Sequence, residues 1–280
     1  MPTFQRDGAL LHYELDGSGA PVVYINGFSS HSNDVLSIGL RRRLAERYTV
    51  LNVDNRGAGQ TVIRDNRPVT VEDMADDIAA VMDHHNLKSA HILGISMGGA
   101  IAMVLALRHP EKVRTLVPAV SLARSNVNGT RTEFLLRSAR EMRDQGVPNE
   151  FINRFNAVYL LSEDLFQYEP FMNAWVKAPP DPFQQTRAGF DLQVAAMSTY
   201  DILDRLPMIS IPTLVISSPD DLLVPPRFQQ EIAQGIPNAE FREYHGGHIF
   251  MVLPMYRETF VDDVFAFWSR HEQQGRMGKS

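Results

Sequence analysis

Gly94-Ile95-Ser96-Met97-Gly98-Gly99 is the stretch that decides how this chain is read. It has the form G-x-S-x-G and joins an apolar run, Ala90 to Ile95, to a stretch rich in Ala, Met and Leu from Gly98 to His109. The first run reads as a strand and the second as a helix closed by His109-Pro110. A serine on a sharp strand-to-helix turn has its hydroxyl pushed out above the sheet, and such a turn leaves no room for side chains two positions to either side. Gly94 and Gly98 meet that steric demand. The amino end of the following helix then aims free backbone N–H groups at any negative charge that develops there. Alone, the pattern also fits a Gly-rich turn with a capping serine. The flanking strand and helix favour the nucleophile.

Outward from this turn the chain alternates strands and helices. Ala9 to Leu15 reads as a strand ending in the Asp16-Gly17-Ser18-Gly19 turn, and Pro21 to Ile25 and Tyr48 to Val53 as strands buried on both faces. Thr70 opens a helix with Asp73 three residues on, and Val71, Met74, Ile78 and Met82 recur at helical spacing. Val113 to Val120 is strand-like, with Pro118 predicting an interrupted ladder. From about 121 to 198 helical periodicity dominates and aromatics gather. Alternation then resumes, with strands at Pro212 to Ser217 and Glu240 to Tyr244, and helices at Arg227 to Ile236 and Met255 to Trp268. These elements predict an α/β fold, a mostly parallel sheet flanked by helices. Residues 1–120 and 199–272 are expected to form its core, 121–198 a helical lid insertion, and 273–280 a disordered tail. Within that tail, Gly278-Lys279-Ser280 lacks the upstream glycine and following helix of a phosphate-binding loop.

Three loops add chemistry. In Ile25-Asn26-Gly27-Phe28, Gly27 lets the backbone turn so that the Phe28 N–H faces the nucleophile; with the Met97 N–H it would form an oxyanion hole. Asn-Gly is also the commonest tight-turn dipeptide. In Ser217-Ser218-Pro219-Asp220-Asp221-Leu222-Leu223-Val224-Pro225, either aspartate can orient an imidazole after a buried strand. His245-Gly246-Gly247-His248 supplies that imidazole from a loop whose glycines permit close backbone approach. Its His-x-x-His spacing also suits a metal, but no nearby carboxylate completes a ligand set, so no metal is expected.

Composition excludes several alternatives. The chain has 280 residues, 44% of them hydrophobic and 21% charged, an ordinary globular balance. A net charge of −6 without a basic stripe argues against nucleic acid or an anionic membrane as partner. With no cysteine there is no disulfide framework and no thiol nucleophile. The amino terminus lacks a secretory pattern, and a cytoplasmic location is expected.

With these residues quoted, the chain resembles the serine hydrolases of the α/β-hydrolase superfamily from about residue 8 to about residue 270, in the esterase, enol-lactonase and methylesterase-like branch. The order Ser96, Asp221, His248 is similar to that superfamily's nucleophile, acid and base. Asp221 is preferred to Asp220 because it stands four residues before Pro225, as in the family's D-x-x-x-P. Gly246-Gly247-His248 resembles the family's G-G-H, and Asp54-Asn55-Arg56-Gly57-Ala58-Gly59 its D-x-R-G-x-G structural turn. Two positions depart: Asn26 stands where a histidine is usual, and Ser218 where a glycine is usual. The resemblance implies cleavage of a small-molecule ester or lactone through an acyl-enzyme at Ser96, with no cofactor, by a monomer or homodimer. The alternatives are carbon–carbon cleavage of a diketone or amide hydrolysis by the same triad, and a non-catalytic ligand receptor on the same scaffold.

Overall fold

Val22 and Tyr24 of one strand turn to one side of the sheet while Val23 and Ile25 turn to the other, and this two-residue alternation divides the core. The computed structural model describes residues 2–125 and 127–277. Its first half runs β1 (Thr3–Arg6), β2 (Ala9–Asp16), β3 (Ala20–Ile25), α1 (Val35–Ala45), β4 (Tyr48–Val53), β5 (Val62–Ile63), α2 (Val71–His84), β6 (Ala90–Ile95), α3 (Met97–Arg108) and β7 (Val113–Ala119). Five helices follow: α4 (Arg131–Asp144), α5 (Asn149–Leu160), α6 (Glu163–Phe166), α7 (Glu169–Val176) and α8 (Arg187–Ser198). The chain then returns through β8 (Leu214–Ser217), α9 (Arg227–Gly235), β9 (Glu240–Glu243) and α10 (Pro254–Met277).

The strand order is β1-β2-β4-β3-β6-β7-β8-β9, with β5 paired to β2. Pairs involving β2 are antiparallel, and those from β4 through β9 are parallel. This is the mostly parallel, helix-flanked α/β sheet expected from the sequence. Met74, Ile78 and Met82 of α2 and nearly all of α3 cover one face; Leu40 and Leu44 of α1 and Phe260, Val264 and Trp268 of α10 cover the other. A helix sandwiched between α2 and the sheet has no wet side, which is why α3 is apolar all round. No helix among the described residues is long and apolar enough to cross a membrane.

Local readings hold in detail. Thr70 and Asp73 form the expected capping box at the start of α2. Pro118 interrupts the ladder on one side only. It pairs in register with Gly94 of β6, whereas toward β8 the donors are Leu116 N–H to Pro212 and Val120 N–H to Ile216, with the proline's missing N–H between them. One expectation needs correction. The backbone of the tail predicted from residue 273 continues α10 through Met277; residues 278–280, with Gly278-Lys279-Ser280, lie outside the described residues.

Two buried polar clusters brace the strands that lead to the site. Arg56 is fully buried and meets Asp77 of α2 through Nε to Oδ2 at 2.6 Å and Nη2 to Oδ1 at 2.9 Å. It also donates to the carbonyls of Asp7 and Arg6. His91 of β6 stacks on Trp268 and contacts Thr115 Oγ1 at 2.8 Å and Glu272 Oε1 at 3.2 Å. Burial pushes its pKa down, to about 4, against the opposing pull of Glu272.

Removing one member of the Arg56–Asp77 pair leaves an uncompensated buried charge. Asp77→Ala is therefore expected to destabilise the protein by about 3–5 kcal/mol in urea unfolding; a loss under about 1 kcal/mol would show the pair to be incidental. For His91 the unfolded chain binds more protons than the folded one between pH about 4 and 6.5, so this group's contribution to stability rises with pH across that window. Relative to His91→Gln, the parent should gain roughly 1–3 kcal/mol between those limits, and a pH-independent difference would contradict it.

Candidate active site

At the carboxyl end of β6 the backbone turns directly into α3, and Ser96 occupies the corner at φ 55° and ψ −120°. A non-glycine residue held there costs roughly 1–3 kcal/mol, so its surroundings must enforce the conformation. They do so with backbone. A Cβ on Gly94 would lie 2.2 Å from the Gly98 carbonyl oxygen, and one on Gly98 would lie 2.2 Å from that of Ile25. The turn is further tied by Ser96 N–H to the Ala119 carbonyl at 2.9 Å and by Ser121 Oγ–H to the Ser96 carbonyl at 2.8 Å. The two glycines are thus where the sequence places them, and the reason is close packing of β6 and α3 against β3.

Gly27 stands beside this corner, its Cβ position 3.3 Å from Ser96 Cβ. Neither the Phe28 N–H nor the Met97 N–H has an acceptor among the described residues; Phe28 lies in a loop after β3, and Met97 opens α3. Asn26, at the departing position, replaces an imidazole with an amide. Its Nδ2 donates to Asn52 Oδ1 at 3.3 Å, its carbonyl accepts from Asn55 Nδ2 at 2.9 Å, and its own Oδ1 is buried without a partner. Asp54 accepts from the Ser32 and Gln60 amides at 2.6 and 2.8 Å. The 54–59 segment therefore supports the loop that carries Phe28.

The two aspartates after β8 separate cleanly. Asp221 Oδ2 accepts from His248 Nδ1 at 2.7 Å, while Asp221 Oδ1 accepts from the Leu223 and Val224 amides at 2.9 and 2.8 Å. Asp220 Oδ2 instead meets His245 Nδ1 at 2.8 Å, and that imidazole is exposed. Two backbone donors hold the Asp221 side chain in place, and with Nδ1 of His248 donating to it, Nε2 is left as the ring's acceptor nitrogen. The two histidines of the His-x-x-His spacing face different carboxylates, and among the described residues no group of three or more His, Asp or Glu is placed to hold a metal ion.

Ser96, Asp221 and His248 are 9%, 2% and 5% exposed, and all follow the carboxyl ends of sheet strands, where open α/β sheets bind ligands. The structure joins the acid to the imidazole; the Ser96 hydroxyl has no hydrogen-bond partner among the described residues. Contacts of this kind often tighten only with substrate bound.

Several supporting residues escaped the sequence reading. Gln229 of α9, fully buried, donates to the Ser121 carbonyl at 2.7 Å and to that of Val224 at 3.4 Å, linking the turn behind Ser96 to the Asp221 loop. Thr132 Oγ1 and Arg131 of α4 donate to the Leu223 and Leu222 carbonyls, both at 2.7 Å. Gln193 of α8 binds the Ser29 amide at 2.9 Å. A glutamine on the apolar stripe of a helix, as Gln193 is between Phe190 and Met197, is the signal that marks such residues.

The profile of the family described as alpha/beta hydrolase fold matches residues 20–253. Among curated sequences, the chain is 30% identical over 269 residues to RutD of Azorhizobium caulinodans, which carries a provisional name as a carbamate hydrolase, covering 90% of this chain and 93% of that protein. Among solved structures it is similar to a thermophilic esterase from Thermogutta terrifontis, with 26% identity, a TM-score of 0.73, and coverage of 94% and 93%. It shares the fold of the enol-lactonase from Burkholderia xenovorans LB400, with 24% identity, a TM-score of 0.77, and coverage of 96% and 100%.

The crowding at the elbow makes a direct prediction. Gly98→Ala, whose methyl would press on the Ile25 carbonyl, is expected to lower stability by about 3 kcal/mol in urea unfolding. A variant that unfolds at the parental midpoint would show that the elbow can yield.

Proposed function

The chain belongs to the α/β-hydrolase family, and from that premise we propose that it is a serine hydrolase of carboxylic esters or lactones. One observation supports this reading most directly: a serine at a strained strand-to-helix corner shares a sheet edge with an imidazole whose Nδ1 is bonded to a buried carboxylate. In the proposed reaction, His248 Nε2 accepts the Ser96 proton as Oγ bonds to the substrate carbonyl carbon. The carbonyl electron pair moves onto oxygen, where the Phe28 and Met97 amides stabilise it. As the pair returns, the carbon–oxygen bond to the leaving group breaks, and the departing alkoxide takes the proton from His248. Water, deprotonated by His248, then bonds to the acyl carbon; the Ser96 Oγ–carbon bond breaks, Oγ takes the proton back from His248, and the acid leaves. Asp221 accepts the hydrogen bond from His248 Nδ1 throughout and so holds the tautomer. A carbamate is the second reading. The RutD relative favours it, and its carbonyl would be attacked in the same way.

Ser96→Ala is expected to abolish both p-nitrophenyl acetate hydrolysis and labelling by a fluorophosphonate probe; hydrolysis at the parental rate would refute the proposal. Asp221→Asn should lower kcat by about 10³–10⁴, since it imposes the wrong tautomer, whereas Asp220→Asn should stay within about threefold. Comparing kcat/KM for an ester with that for the matching carbamate separates the two readings.

A further inference from the structure

The loop leaving β3 contains a second residue held at positive φ, Ser29 at 61°, directly after the residue whose amide faces the reacting carbonyl in the proposed mechanism. Successive peptide planes there have different fates. The Phe28 N–H has no acceptor among the described residues, while the Ser29 N–H donates to Gln193 Oε1 at 2.9 Å. Gln193 is fully buried on α8. Its Oε1 also accepts from Gln185 Nε2 at 2.8 Å, and its Nε2 donates to the Arg56 carbonyl at 2.9 Å. These partners fix the orientation of the amide, since a flipped group would oppose donors to donors.

The anchor behind Gln193 is itself tied down. Arg56 is held by Asp77 of α2, and Gln185 Nε2 also donates to the Gly57 carbonyl at 3.0 Å. The two backbones touch as well, because a Cβ on Gly189 would lie 2.2 Å from the Gly57 oxygen. Helix α8 is therefore fastened to the sheet side of the molecule. From it a chain of polar contacts runs from Asp77 through Arg56 and Gln193 to Ser29. Two further contacts hold the same short loop: the Phe28 ring lies edge-on to Phe190 at 5.4 Å, and His31 Nε2 meets Asp181 Oδ2 at 2.8 Å.

We infer that Gln193 is a positioning residue for the oxyanion-binding amide of Phe28, acting through Ser29. By occupying the Ser29 N–H it holds the Phe28–Ser29 peptide plane in its strained orientation and leaves the preceding N–H for the substrate. The inference rests on the serine-hydrolase reading. Losing an oxyanion donor outright costs roughly 10²–10³ in rate, and a misplacement of about 1 Å costs about 10². Loosening the loop without deleting the donor should lie at the lower end of that range.

The test compares Gln193→Met, which fills similar volume but neither donates nor accepts, with Gln193→Glu, which keeps an oxygen facing the Ser29 N–H and, as the neutral acid measured at the acidic end of the activity range, a hydroxyl donor toward the Arg56 carbonyl. With p-nitrophenyl acetate, Gln193→Met should lower kcat roughly 10–100-fold and leave KM within about threefold. Affinity for a trifluoromethyl ketone, whose adduct with Ser96 carries an oxyanion, should fall by a similar factor, while acetate binding should not. Gln193→Glu should keep kcat within about fivefold. A merely structural glutamine would instead lower kcat in both variants in step with their unfolding midpoints and weaken both ligands equally, and that outcome overturns the inference. If Gln193→Met does not fold, a folded Gln193→Glu protein with a hundredfold loss of kcat overturns it as well. A parent without Ser96-dependent hydrolysis refutes the serine-hydrolase reading itself. An active parent matched in kcat by Gln193→Met refutes only the positioning role.

Discussion

The contact on which the rest of the structure depends is backbone against backbone, where the first turn of α3 presses on the end of β3. With Gly98 lying against the Ile25 carbonyl and Gly94 against that of Gly98, three segments approach more closely than side chains would allow. That approach forces Ser96 into its positive-φ corner and brings Gly27 alongside it. It also opens α3 at Met97, whose N–H has no acceptor among the described residues, directly after that corner. The serine hydroxyl stands at this turn because two glycines leave the room.

Regular ladders end at this edge of the sheet, so the loops beyond it must satisfy their backbone groups by other means. Neutral amides and hydroxyls do most of this. Gln229, Gln193, Asn55 and Thr132 each reach main-chain atoms of a loop next to the candidate triad. A buried glutamine offers both a donor and an acceptor and loses less on desolvation than an ion, so it can tie two loops at once. Charged side chains nearby have compensating geometry in the two-point Arg56–Asp77 pair and in Asp221 with its two amide donors. The helices between β7 and β8 take part in this support. Through Arg131 and Thr132 they hold the acid's loop, and through Gln193 the loop of Phe28.

Much of the fold was legible because local and tertiary preferences agree along most of the chain. The doubly buried strands are continuous apolar runs, α2 announces itself through Thr70 and Asp73, and Pro118 marks where a ladder loses a donor. Less was visible at the periphery. β1 and β5 are short and half exposed, and α1 carries arginines that pair with acidic partners across the surface rather than a clear apolar stripe. The last helix extends beyond the apolar periodicity that marks it in the sequence. At the site, Asp220 and Asp221 were equal by composition. Coordinates distinguish them, since one faces an exposed imidazole and the other a buried one.

The sequence by itself determined the strand–helix alternation, the glycine-flanked serine turn and the residue types a hydrolytic triad needs, because these depend on short-range sterics and on the period of the apolar residues. Only the folded arrangement decides how Asn26 is accommodated where an imidazole is usual, and that a glutamine more than 160 residues away along the chain secures Ser29; the Asp221–His248 pair that the D-x-x-x-P resemblance favours is seen directly there. Those outcomes turn on which groups share a buried space. Spacing along a chain cannot convey that until the sheet has folded and brought its loop ends together.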